Sequence, residues 1–97
     1  MSQGSTVAAR RWVAQGRVQG VGFRWYIRER AQGAGLRGWV RNLPDGSVEV
    51  LALGSPEVLE AFEPVIRRGP PGAHVTTLTG EDVPHEGVDT NSFTIKH

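Results

Sequence analysis

Cysteine is absent from this 97-residue chain. That excludes disulfides, thiol catalysis and cysteine-ligated metal. Lysine is nearly absent: ten of the eleven basic residues are arginine, and only Lys96 is lysine. Long apolar runs are missing too, and the longest fall far short of the roughly 20 residues needed to cross a bilayer. No charge of one sign dominates. Eleven basic residues against ten acidic give a net charge of +1, which is no footprint for nucleic acid. Met1 to Ala9 lack the apolar stretch of a secretory signal, so the expectation is cytoplasmic residence with neither membrane nor nucleic acid as partner. His74, His85 and His97 lie far apart, without metal-ligand spacing. They read as surface or edge residues, and no metal site is expected.

What remains suits one soluble domain. A chain this short buries only about 60–65% of its unfolded surface, enough for a single core. A monomer is the expectation at this size. Residues 1–9 are small and polar and read as a flexible tail, with the folded domain over 10–97.

Along the chain, Arg11 to Val18 reads as a strand. From Phe23 the period turns helical, with Phe23, Ile27 and Ala31 at i, i+4 and i+8. Gly33 and Gly35 are candidates to end that helix. Leu36–Leu43 and Ser47–Leu53 read as a hairpin around Leu43-Pro44-Asp45-Gly46, where proline sets the first corner, aspartate bonds locally and glycine takes positive φ. Ser55-Pro56-Glu57 starts a second helix, whose apolar stripe is Val58, Leu59, Phe62, Val65 and Ile66. Pro64 predicts a bent last turn there. His74–Leu78 reads as a fourth strand, 80–91 as a loop, and Ser92–Lys96 as a short final strand. The order is β-α-β-β-α-β plus one strand. That predicts an α+β, ferredoxin-like sandwich: an antiparallel sheet with two helices on one face.

The densest chemical signal is Gly16-Arg17-Val18-Gln19-Gly20-Val21-Gly22-Phe23-Arg24. Three glycines let backbone N–H groups wrap an anion where a strand passes into a helix N-terminus. Arg24 adds a forked cation suited to phosphate oxygens. The segment reads as a phosphate cradle. Asn42 is the second candidate, because strand parity puts it on the face shared by Gly38 and Val40. Its amide can both accept and donate, so it can orient a water. The alternative for Asn42 is a capping residue of the hairpin, and for Arg24 a solvated helix arginine.

That segment, followed by Gly38-Trp39-Val40-Arg41-Asn42-Leu43-Pro44-Asp45-Gly46-Ser47-Val48-Glu49, resembles the acylphosphatase family. The Gly69-Pro70 to Val75 stretch and Phe93-x-Ile95 match its layout, so the resemblance covers roughly residues 11–97. It implies hydrolysis of a small-molecule acyl phosphate to a carboxylate and inorganic phosphate, the latter also a competitor. It implies that Arg24 and the loop amides of Gln19, Gly20, Val21, Gly22 and Phe23 hold the phosphate, and that Asn42 holds the attacking water. No metal or organic cofactor is implied. The tail, Gln15 and Pro64 depart from the family pattern, but none of them touches Arg24 or Asn42.

Two other readings stay in view. An RNA-recognition module shares the element order but needs aromatics on its third strand; here Ser47–Leu53 has none and carries an acid. A small anion-binding regulatory domain, or the related unit fused to larger carbamoyl-processing enzymes, is the second; the length of the chain argues for a free-standing enzyme. ATP binding is not indicated, since no P-loop lysine is present. Asp45 has a sufficient role in its turn. Trp12, Trp25, Tyr26 and Trp39 read chiefly as packing or sheet-face residues.

Overall fold

The structure is a computed structural model that describes residues 7–86, 88 and 90–97. Five strands and two helices follow one another as β1 (Ala8–Arg17), α1 (Phe23–Gly33), β2 (Arg37–Asn42), β3 (Val48–Gly54), α2 (Pro56–Arg68), β4 (His74–Val83) and β5 (Phe93–Ile95). In the sheet they stand in the order β4-β1-β3-β2-β5. Most of the expected nine-residue tail, 1–6, lies outside the described residues; Ala8 and Ala9 already belong to β1.

Alternation along the strands builds the core. Trp12, Ala14, Val40, Val48, Val50 and Ala52 face the helices and are almost wholly buried. They meet Phe23, Ile27 and Ala31 of α1 and Leu59, Phe62 and Ile66 of α2. Trp12 packs 6.1 Å from the Phe62 ring, and its indole N–H donates to Glu63 at 3.0 Å. This is the ferredoxin-like sandwich. The sheet, however, is mixed rather than wholly antiparallel, because β5 pairs parallel to β2. The reason is topological. β4 ends with Val83 opposite Ala9, at the end of the sheet where β2 begins. The chain therefore enters β5 from that end and runs alongside β2 in the same direction.

Both helices carry the signals read in the sequence. Leu36 N–H reaches Ala31 O at 2.9 Å and Gly35 N–H reaches Gln32 O at 3.1 Å, the Schellman pattern that closes α1. Ser55 Oγ accepts from Val58 N–H at 3.2 Å and opens α2. Pro64 does not end α2, which runs on to Arg68. An interior proline costs about 3 kcal/mol, but Ile66 beyond it is fully buried, and that burial contributes about 1.5–3 kcal/mol. β4 also outruns its expected end, since residues 80–83 are strand rather than loop. Its Asp82 and Glu81 stand opposite Arg10 and Arg11 and pair with them at 2.8 and 3.3 Å. Cross-strand ion pairs thus extend a segment that looked like a polar loop.

On the face away from the helices, Glu49 is buried between two arginines. It accepts from Arg11 Nε and, at 2.6 Å, from Arg41 Nε. Burial pushes its carboxyl up, but the two guanidinium bonds outweigh it and hold the group below its ordinary range. Arg41 and Lys96 also lie over the Trp39 ring, at 5.0 and 4.8 Å.

Candidate active site

The cradle begins with a defect in β1. Pairing with β4 slips between Gln15 and Gly16. At Gly16 φ is 118°, and a Cβ would stand 2.2 Å from His74 O, so only glycine fits. The bulge turns the chain out of the sheet and into the loop that precedes α1. Gly20 and Gly22 then take φ of 76° and 77°, the left-handed turns that gather backbone N–H groups into a concavity. Gly22 is the N-cap of α1 and offers no side chain to its open amides. The first helical bond is Tyr26 N–H to Gly22 O at 3.0 Å. The N–H groups of Phe23, Arg24 and Trp25 therefore precede it and have no carbonyl in the helix.

A hollow of about 230 Å³ opens here, lined by Val18, Gly20, Gly22, Phe23, Arg24, Trp25, Asn42, Ile95 and His97. Arg24 and Asn42 thus share one cavity. Among the described residues no ion pair or hydrogen bond holds the Arg24 side chain, while Arg10, Arg11, Arg28, Arg41 and Arg67 each pair with a carboxylate. Asn42 stands opposite Val48 at the end of β2. Its Oδ1 is buried and meets no donor among the described residues. A buried acceptor left alone costs about 1–3 kcal/mol, so the site holds an amide oxygen ready for a donor.

Gln19 and Val21 do not line the hollow with their neighbours. The Gln19 side chain is engaged elsewhere: Nε2 donates to Leu43 O at 3.0 Å and Ser47 O at 2.9 Å. It ties the cradle to the hairpin that follows Asn42. That hairpin is itself braced by Gly46 N–H on Leu43 O at 3.1 Å. Asp45 Oδ1 takes both the N–H and the hydroxyl of Ser47, at 3.0 and 2.5 Å. The Ser47 hydroxyl bond, then its backbone bond, pulls the Asp45 carboxyl below its ordinary range. Asp45 Oδ1 is thus engaged by its own turn.

His97 is exposed, in keeping with its reading as a surface or edge residue, and it also lines the hollow. Lys96 N–H donates to Val40 O at 2.8 Å, which carries the chain one residue past β5 and brings His97 to the wall of the hollow. No local motif announces this; it follows from the pairing of β5 with β2. His74 lies on β4 and His85 beside Glu86, both outside that wall.

Larger hollows exist, one of about 870 Å³ beside α2 and β4, but its walls carry Glu57, Glu60, Glu63, Asp82 and Glu86. Carboxylates repel a phosphate, which counts against that hollow. Another of about 730 Å³ is lined by Arg30 and Arg68 without a carboxylate, so it is the glycine loop and helix N-terminus beside Asn42, not charge alone, that mark the smaller cavity. No group of three or more acidic or histidine side chains placed to hold a metal occurs among the described residues. No helix among them is long and apolar enough to cross a membrane.

The fold is thus a small ferredoxin-like α+β domain whose first helix opens, through a glycine-rich loop, onto a hollow shared by Arg24 and Asn42. Comparison with known proteins makes this specific. Residues 10–95 match the acylphosphatase family. The acylphosphatase of Synechococcus sp. (strain WH7803) is 45% identical over 94 residues, which is 92% of this chain and 94% of that one. The crystal structure of acylphosphatase from Bacillus subtilis superposes with a TM-score of 0.87 at 36% identity, covering 93% of this chain and 99% of that chain. Full-length HypF, in a phosphate- and nucleotide-bound form, gives a TM-score of 0.85 at 25% identity; all of this chain matches 13% of that one. The chain belongs to the acylphosphatase family and is an acyl-phosphate hydrolase.

Proposed function

We propose that the enzyme hydrolyses small acyl phosphates without a metal ion, by in-line attack of a water held by Asn42 on a phosphate held by Arg24 and the amides of residues 19–23. The observation that carries this reading is the meeting, across one hollow, of an unpaired guanidinium, a helix N-terminus and an unsatisfied amide oxygen. An acyl phosphate is an activated anhydride with a carboxylate leaving group. Its phosphoryl transfer runs through a loose transition state with charge spread over the equatorial oxygens. The protein must hold phosphorus and water in line and stabilise that charge. Arg24 can place two donors on two oxygens, and the loop amides meet the third. Asn42 Oδ1 accepts a hydrogen bond from the water and so aims the water's lone pair at phosphorus. The new P–O bond forms, the P–O bond to the acyl group breaks, and the carboxylate leaves with the electron pair. The water proton ends on the phosphate product. The reading takes the chain as a cytoplasmic monomer, with inorganic phosphate as both product and competitor.

The test is phosphate release from benzoyl phosphate in the presence of EDTA. Turnover is expected at full rate. Arg24→Ala and Asn42→Ala are each expected to stay folded and lose at least about 10²–10³ in kcat. Phosphate at a hundred times its dissociation constant should add about 2.7 kcal/mol of stability to the native protein, and Arg24→Ala should abolish that gain. Full activity in Asn42→Ala with phosphate binding lost would overturn the division of roles.

A further inference from the structure

Trp25 is a large apolar side chain left 56% exposed. It follows Arg24 on the first turn of α1, and the two line the same hollow. One face of its ring is covered. The Arg28 guanidinium lies 4.3 Å from the ring centroid and is itself pinned by Glu29 at 3.1 Å. A guanidinium stacked on an indole holds it in one orientation while leaving its other side open. Ile95, from β5, also lines the cavity. The phosphate end of the hollow is built from amides and a cation, so this apolar margin is left for the rest of the substrate.

We propose that Trp25, steadied by Arg28 and backed by Ile95, forms a subsite for the acyl group and makes the enzyme prefer flat, aromatic acyl phosphates over small aliphatic ones. The inference rests on the hydrolytic reading above and names the class of substrate that site takes. Stacking of a flat ring on indole contributes through area burial and quadrupole alignment, and its loss is worth about tenfold in binding.

The experiment measures binding with unhydrolysable analogues in which a methylene replaces the bridging oxygen: phenacylphosphonate and acetonylphosphonate. It sets these beside kcat/KM for benzoyl and acetyl phosphate. The protein is expected to bind the phenacyl compound about tenfold more tightly. Trp25→Ala should bring that ratio close to one, and Trp25→Phe should keep most of it. The inhibition constant of inorganic phosphate reports in parallel that the cradle is intact. Equal affinities in the unaltered protein, or a preference that survives Trp25→Ala, would overturn the proposal. A protein that hydrolysed neither acyl phosphate yet still preferred the phenacyl compound through Trp25 would sink the hydrolytic reading and leave this one standing.

Discussion

Among the described residues no ion pair or hydrogen bond holds the guanidinium of Arg24, Arg17 or Arg68, whereas five other arginines are held by carboxylates. What sets Arg24 apart from those two is its place, since it alone of the three lines the hollow with Gly20, Gly22 and Asn42. Asn42 likewise has a buried oxygen that meets no donor among the described residues, while Oδ1 of the neighbouring Asp45 takes two bonds from Ser47. His97 lies on the wall of the hollow but has no task in the proposed chemistry. A carboxylate of ordinary acidity near 4 leaves without taking a proton, and a loose transition state asks little of a base. His97→Gln is therefore expected to keep kcat within about twofold. The profile of kcat/KM between pH 5 and 9 should be unchanged in shape. Loss of a limb of that profile in the variant would show that the imidazole takes part.

The loop from Gly16 to Gly22 and the β2–β3 hairpin hold the two halves of the site, and Gln19 joins them. Its amide bonds to Leu43 O and Ser47 O fix the cradle relative to Asn42. Gln19→Leu removes both donors and should cost about 1–2 kcal/mol of stability. Its larger effect should be on turnover. Misplacing the phosphate against the water by about 1 Å can cost 10²-fold, so kcat should fall at least about tenfold, with a smaller change in the inhibition constant for phosphate. Steady-state kinetics with a urea titration separate the two effects. Equal losses in kcat and in phosphate binding would argue that Gln19 merely keeps the loop folded. Among the elements, β4 outlasts its sequence signal, while α2 runs through Pro64 to Arg68, as its apolar stripe to Ile66 predicts. Ion pairs to β1 carry β4 through residues 80–83, and buried Ile66 carries α2 past Pro64.

For the molecule as a whole, the face of the sheet away from the helices is knit by charge. Glu49 is shared by Arg11 and Arg41, and it joins β3 to both its neighbours. Its carboxyl has a folded value below the ordinary one. It therefore adds stability above the ordinary glutamate range. That contribution fades as the pH falls, because the unfolded chain takes up the proton first. Glu49→Gln should cost about 1–2 kcal/mol at pH 7, a fall of roughly 4–15 °C in Tm for a domain of this size. The gap between variant and parent should narrow as the pH drops from 5 to 3. Thermal unfolding across that range reads it directly, and a constant gap would mean that the charge does not matter.

Local chemistry made much of this legible in the chain itself. The Pro-Asp-Gly turn, the Ser55 cap, the Gly35 stop and the glycine cradle each act over a few residues, and alternation assigned the core face of β2, including Asn42. The sandwich followed from the order of those elements. What tertiary structure alone decided are the pairings between distant segments: β5 parallel to β2, the extension of β4, the Glu49 cluster, Gln19 on the hairpin, and His97 and Trp25 at the rim of the cavity. Periodicity reports which way a side chain faces within its own element. It carries no information on which element will stand opposite, because that is set by the competition of whole faces for burial.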